Sequence, residues 1–324
     1  LKRYIKKINS KFAFRNITAF DADADMISTL PKHIKYTINQ ENNTIFFKEV
    51  QLELNIKQDV QMIKGIEFIH TLVKQVGAAF YKRGTVVYCN VNGLRVKVTT
   101  WEELLILNEI FIKGVYDLRL HHEFILIDIG VNVGFTSLFF ALKRNCVNVY
   151  GFEPFKKTFE QAKYNFNLNT ELSNKIYCYN YGLGGSNEDV EAEYNVEYKG
   201  SMGINGVPVY IPIEDIEKIK INIREATPSL QPIFEQHPGE LVIMKVDCEG
   251  SEYDIIESLY MSKVLSKIDV LMIEWHIKGA SFIIDYLNKS GFISIPVDEQ
   301  TDDYIGMIYA FRVNPKEVFL SGMV

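Results

Sequence analysis

The stretch Phe124-Ile125-Leu126-Ile127-Asp128-Ile129-Gly130-Val131-Asn132-Val133-Gly134-Phe135-Thr136 decides the fold. Its first half is a continuous apolar run, the pattern of a strand covered on both faces of a parallel sheet. The run ends at Asp128, and Gly130 and Gly134 follow. Gly130 permits a tight turn, and Gly134 lets the next helix start close to the strand. A loop of this kind brings backbone N–H groups to a bound cofactor, with Asp128 placed to accept from an ammonium group. A second strand, 147–152, ends in Tyr150-Gly151-Phe152-Glu153-Pro154. Glu153 falls roughly twenty residues beyond the glycine loop, where an acidic side chain reaches ribose hydroxyls in nucleotide-binding folds. Strand, Asp128 and Glu153 together point to adenosine. A hydride-transfer enzyme would more often carry GxGxxG. Here Asn132 and Phe135 stand where a pyrophosphate would need small residues, so the pattern favours a cofactor without pyrophosphate.

Outward from this unit, short β-rich runs alternate with helical segments. The runs are 124–129, 147–152, 176–181, 241–246, 268–274, 292–296 and 307–312; helices are expected near 135–144, 156–168, 251–264 and 278–289. This alternation predicts an α/β fold, a doubly wound parallel sheet with helices on both faces. Too few residues separate the last two strands for a parallel crossover, so the last strand is expected to run antiparallel. The interval 184–240 interrupts the alternation. It is expected to hold a strand pair (190–198 with 207–213) and a helix from about 214. Lys199-Gly200-Ser201-Met202-Gly203 within it reads equally as a lid over the acceptor or as a surface hairpin.

Residues 1–98 form a separate α+β accessory region, and the main domain is expected to span 99–324. A helical pattern covers 59–78, and two β-like runs, 84–91 and 93–99, meet at Asn92-Gly93, a pair that favours a tight hairpin. Thr100 is expected to cap a helix opening at Trp101, with Glu103 at the capping-box position. The accessory region is a candidate for homo-oligomer contacts or acceptor capture.

A net charge of −6 and a pI near 5.6 give no general attraction to nucleic acid or to anionic lipid. The basic residues Lys2, Arg3, Lys6, Lys7 and Lys11 read first as a solvated helix face. Cys89, Cys146, Cys178 and Cys248 lack CxxC spacing, which predicts a reducing, cytoplasmic setting without a disulfide framework. No apolar stretch approaches the length of a membrane span. The chain opens on Leu1 rather than Met, as a trimmed piece of a longer protein would.

A third block, Lys245-Val246-Asp247-Cys248-Glu249-Gly250-Ser251-Glu252, completes a family pattern. With Asp128–Gly134 and Phe152-Glu153-Pro154 it resembles the FkbM family of S-adenosylmethionine-dependent methyltransferases, whose corresponding blocks read DxGxNxG and KIDVEGAE. Trp101-Glu102-Glu103-Leu104 through Tyr116 also resembles the family's approach to its first strand. The likeness covers roughly 99–313; Cys248 and Ser251 depart from it by small substitutions. It implies a class I methyltransferase, Rossmann-like seven-stranded sheet with the last strand antiparallel. It also implies O-methyl transfer from S-adenosylmethionine to a hydroxyl of a sugar, glycan or natural product. Nicotinamide-dependent oxidoreduction and a non-catalytic Rossmann-like module are the alternatives.

Methyl transfer to an alcohol needs an aligned oxygen and a base. Asp247 and Glu249 after the fourth main strand, and Glu274 and His276 after the fifth, are the catalytic candidates. Asp128, Gly130, Asn132, Gly134, Phe135, Glu153, Pro154 and Asn180 are the cofactor-binding candidates, Asn180 for adenine. A divalent metal on the four catalytic candidates is the less favoured variant. Lys245 is expected to pair with a carboxylate, and Glu252 to favour a helix N-terminus.

Overall fold

The computed structural model describes residues 26–204, 216–298, 305–312 and 318–320. The basic run Lys2–Lys11 and the predicted strand 207–213 lie outside these residues. Two compact units divide between Lys113 and Gly114.

In the first unit, β1 (Tyr36–Asn39), β2 (Thr44–Phe47) and β3 (Leu52–Asn55) form an antiparallel sheet. Two helices follow, α1 (Val60–Lys64) and α2 (Ile66–Val76). They replace the single helix expected over 59–78, because Gly65 breaks it; a Cβ there would lie 2.4 Å from the Leu104 side chain. A second antiparallel sheet holds β4 (Ala79–Arg83), β5 (Val86–Val91) and β6 (Leu94–Val98). Val91 pairs with Leu94 across the hairpin, and Asn92 and Gly93 both have positive φ, the conformation a two-residue type I′ turn requires. Helix α3 (Trp101–Asn108) starts where expected, with Thr100 Oγ1 accepting from the Glu103 N–H. Glu103 returns its carboxylate to Thr99 N–H and Oγ1, one residue earlier than in the usual box. Asn108 of α3 donates to the Phe68 carbonyl of α2, so α3 belongs to the first compact unit, which runs on to Lys113.

The second unit is built on a seven-stranded sheet. After β7 (Leu118–Leu120) come β8 (Phe124–Ile129), α4 (Phe135–Ala141), β9 (Cys146–Phe152), α5 (Lys156–Asn167), the single turn α6 (Thr170–Ser173) and β10 (Ile176–Tyr179). A smaller sheet follows, from β11 (Gly182–Gly184), β12 (Glu188–Tyr194) and β13 (Glu217–Glu225). The chain then returns through α7 (Ala226–Gln236), β14 (Leu241–Val246), α8 (Glu252–Met261), β15 (Val270–His276), α9 (Ser281–Lys289), β16 (Phe292–Asp298), β17 (Ile305–Arg312) and β18 (Val318–Leu320). The main sheet has the order β10-β9-β8-β14-β15-β17-β16. All neighbours are parallel except β17, which runs antiparallel to both β15 and β16, as expected for the last strand of the set.

Both faces of the sheet are covered, which is why β8 and β14 are wholly buried and read as unbroken apolar runs. On one face Ile125, Ile127, Val242 and Met244 pack with Leu230 of α7, Ile256 of α8 and Leu287 of α9. On the other, Phe124 meets Phe140 of α4 edge to face.

The helix expected from about 214 is absent among the described residues of that stretch; β13 takes its place. Ile219, Ile221 and Ile223 alternate with Lys218, Lys220 and Asn222, a period of two that fits a strand with one buried face. Its antiparallel partner is β12, Ala192 opposite Ile219; the partner expected over 207–213 lies outside the described residues.

Replacing Thr100 by Ala removes an oxygen that accepts at the start of α3 and should lower stability by about 1 kcal/mol. Urea denaturation reads this directly; an unchanged midpoint would contradict the cap.

Candidate functional site

The strand order reverses at β8: β9 and β10 lie on one side, β14 and β15 on the other. Ligands of open α/β sheets bind beyond the carboxyl ends at such a switch. A cleft opens there. Gly130, Asn132, Glu153, Pro154, Asp247 and Glu249 contribute to its walls, drawn together from three strand ends.

The glycine loop is fixed from several directions. Gly130 has φ +82°, and a Cβ on it would lie 1.7 Å from the Asp247 carbonyl oxygen. Gly134 has φ +88° and faces the Phe166 ring, 2.6 Å from where a Cβ would sit. Asn165 of α5 donates to the Val133 carbonyl at 2.8 Å. Asn132 itself adopts φ +53°, and its Oδ1 is buried without a hydrogen-bond partner.

Beneath the loop, Asp128 is fully buried and accepts from Ser137 Oγ at 2.6 Å. The Lys245 ammonium lies 3.3 Å from both Asp128 Oδ1 and Asp247 Oδ2 and donates to the Gly130 carbonyl at 2.6 Å. Burial disfavours its charge, but the carboxylates of Asp247 and Asp128 outweigh that and raise its pKa. Burial pushes the Asp128 carboxyl up, against the pull of Lys245. Lys245 thus has the carboxylate partners expected of it.

Glu153 accepts from the Asn132 N–H at Oε2 and from the Phe155 N–H at Oε1, both at 2.9 Å. Burial raises its pKa to about 7 in spite of those donors. Asn180 does not line the cleft; its Nδ2 donates to the carbonyls of Glu153 and Pro154 and clamps the end of β9. Phe135 and Gly134 also lie outside the cleft lining, Phe135 buried in the first turn of α4.

The second group of carboxylates gathers at the ends of β14 and β15. Asp247 caps no helix; the N-cap of α8 is Ser251. Glu249 has φ +55° and ends in the cleft wall, and burial raises its pKa to about 7 against the opposing charge of His276. Glu274 and His276 do not follow β15 but belong to it, because its pairing with β17 continues to His276 opposite Ile305. His276 Nδ1 lies 2.9 Å from Glu252 Oε1, and its Nε2 lies 3.6 Å from Glu249 Oε2 and 4.0 Å from Glu274 Oε1. Burial alone would lower the His276 pKa; Glu249, Glu252 and Glu274 together raise it well above the ordinary value. Glu252 is in the first turn of α8, as expected, and also accepts from the Cys248 and Gly250 N–H groups.

Lys199, Met202 and Gly203, from the segment read equally as a lid or a surface hairpin, line the cleft. A Cβ on Gly203 would lie 2.4 Å from the Glu249 carbonyl, so this segment packs on the catalytic candidates. Only the glycines marked it. Ser137, which holds Asp128, left no signal at all.

The order β10-β9-β8-β14-β15-β17-β16, with a lone antiparallel strand and this cleft at the switch, defines the class I methyltransferase fold. Residues 128–294 match the family model described as the methyltransferase FkbM domain, and the chain belongs to that family. A curated relative, the tRNA1(Val) (adenine(37)-N6)-methyltransferase of Flavobacterium psychrophilum, is 32% identical over 76 residues, 24% of this chain. The match spans 32% of that relative's length. Among solved structures, methyltransferase FkbM from Methylobacillus flagellatus KT is 13% identical with a TM-score of 0.41, covering 79% of this chain and 55% of that one. Precorrin-6y C5,15-methyltransferase from Geobacter metallireducens GS-15 is 11% identical with a TM-score of 0.34, covering 69% and 95%.

Gly130→Ala should cost about 3 kcal/mol or more, since the new methyl cannot coexist with the Asp247 carbonyl. A denaturation midpoint equal to that of the parent would refute the close approach.

Proposed function

We propose that the chain is an S-adenosylmethionine-dependent O-methyltransferase acting on a hydroxyl of a sugar, glycan or natural product. The observation that carries this reading is the single cleft bounded by Gly130, Asn132 and Glu153 on one side and by Asp247 and Glu249 on the other. The residues suit the cofactor. Glu153 holds two backbone N–H groups yet keeps lone pairs for ribose hydroxyls, and the unpartnered Asn132 Oδ1 can accept from an amino group. Pro154 and Leu183 offer apolar wall beside them. When bound, the cofactor supplies a methyl group on a sulfonium, an electrophile that needs only an aligned oxygen.

The protein's own part is alignment and proton removal. Asp247 and Glu249 border the cleft where the acceptor would enter, and Glu249 is the group assigned to take the hydroxyl proton. His276 and Glu274 act behind it: the imidazole stands between Glu249 and Glu252 and fixes where the carboxylate points. Asp128, Gly134, Phe135 and Asn180 shape the cleft from outside it. Lys199–Gly203 covers Glu249 in the manner of a lid, and residues 1–98 serve as an accessory region.

Among the described residues no helix is long and apolar enough to cross a membrane. The net charge of −6 is too blunt to dismiss nucleic acid as an acceptor, since the F. psychrophilum relative is named for a tRNA substrate. The preference for a hydroxyl rests on the carboxylate at the rim. Radiolabel transfer from S-adenosylmethionine to polyol and glycan acceptors, with bulk tRNA alongside, tests it; label entering only the RNA would overturn the hydroxyl assignment.

Calorimetry should detect S-adenosylmethionine binding to the parent and none to Glu153→Ala; undiminished binding by the variant would contradict the ribose contact. The pH dependence has a definite sign. The raised Glu153 pKa means that the folded protein favours the neutral acid, and the stability this gives is lost as pH rises from about 4.5 through about 7. Ribose hydroxyls donate to the ionised form, so affinity should rise with pH and fall roughly tenfold from its plateau by pH 6. A flat profile would remove Glu153 from the contact.

A further inference from the structure

We infer that Asp247, Glu249 and His276 form a binding site for one divalent cation at the acceptor end of the cleft. The inference rests on the methyl-transfer reading for its purpose but not for its existence. One ligand atom from each of the three residues lies within 4.8 Å of the others, close enough for a single ion to be shared. Two carboxylate oxygens and one imidazole nitrogen suit manganese or a similar divalent ion better than magnesium, which prefers oxygen and water.

The imidazole is already oriented for the task. Its Nδ1 is 2.9 Å from Glu252, which leaves Nε2 directed at Glu249 and Glu274. A carboxylate behind one ring nitrogen is the arrangement that fixes the tautomer and raises the basicity of a metal-bound histidine.

A separate observation concerns charge. Glu252 is fully buried and its Oε2 has no hydrogen-bond partner. Asp247, Glu249, Glu252 and Glu274 crowd one corner of the protein, with His276 and Lys245 among the cations beside them. Lys245 is also committed to Asp128 and to the Gly130 carbonyl. A divalent cation would add positive charge to this carboxylate-rich corner. Asp247 and Glu249 line the open cleft, so the ion would have an entry path and free positions facing the acceptor. An acceptor hydroxyl bound there would be acidified by the ion and held in line, adding to what Glu249 does alone.

The test needs neither cofactor nor acceptor. The chelator-treated 324-residue chain is titrated with manganese chloride while free Mn²⁺ is read by electron paramagnetic resonance. One saturable site per chain is expected. Asp247→Asn and His276→Ala should each weaken it at least tenfold, and Glu153→Ala should leave it unchanged while abolishing S-adenosylmethionine binding. Circular dichroism reports whether each variant is folded. Should His276→Ala fail to fold, the parent stoichiometry and Asp247→Asn are sufficient. No saturable binding up to millimolar Mn²⁺, or equal binding by the parent and the folded variants, would overturn the cation site. The cofactor reading falls separately, if the parent binds Mn²⁺ but not S-adenosylmethionine.

Discussion

The Lys245 ammonium is the constraint on which the rest of the site depends. It is 3% exposed and joins three acceptors: the Asp128 carboxylate, the Asp247 carboxylate and the Gly130 carbonyl. These belong to the ends of two adjacent strands, β8 and β14, so one side chain holds the glycine loop against the loop that carries Glu249. Burying such a charge is costly, and the cost is offset only when every partner is present. Removing one member of a buried pair leaves the other uncompensated, at about 3–5 kcal/mol. Asp128 and Asp247 are then coupled to each other through Lys245 at the junction of the two strands.

Geometry follows from that junction. With Asp247 drawn toward Lys245, its backbone carbonyl takes the space a side chain at position 130 would fill. Asn132 and Glu249, neither of them glycine, adopt positive φ on opposite sides of the cleft. Such backbone is sustained only where the surroundings over-determine it, and it clusters at working sites. The Glu153 carboxylate bonds to the Asn132 N–H, so the residue that would hold ribose also holds the strained loop in shape.

Most of the main sheet was legible because burial on both faces writes itself as continuous apolar runs. The bounds of β8 and β14 agree with the runs 124–129 and 241–246, and the hairpin at Asn92-Gly93 and the cap at Thr100 carry their own local chemistry. Legibility failed where long-range packing decides. The alternating Ile219, Ile221 and Ile223 were overshadowed by an expected helix. β15 runs on through the polar Glu274 and His276 because β17 continues to pair with it. In the site, residue type and spacing pointed to Gly130, Asn132, Glu153, Pro154, Asp247 and Glu249, all of which reach the cleft. The Asn180 amide donates to two backbone carbonyls at the end of β9, a matter of strand-end geometry that composition does not encode. Nothing in the sequence joined Glu252 to His276, which meet only once α8 packs on β15.

The central claim is that one cleft holds the adenosyl cofactor on Glu153 and presents its reactive end to Asp247 and Glu249. A crystal structure of the chain with S-adenosylhomocysteine tests it most directly. The account predicts ribose hydroxyls within hydrogen-bond distance of the Glu153 carboxylate and the sulfur facing Asp247 and Glu249. A nucleoside bound elsewhere, or a sulfur directed away from those two carboxylates, would contradict it.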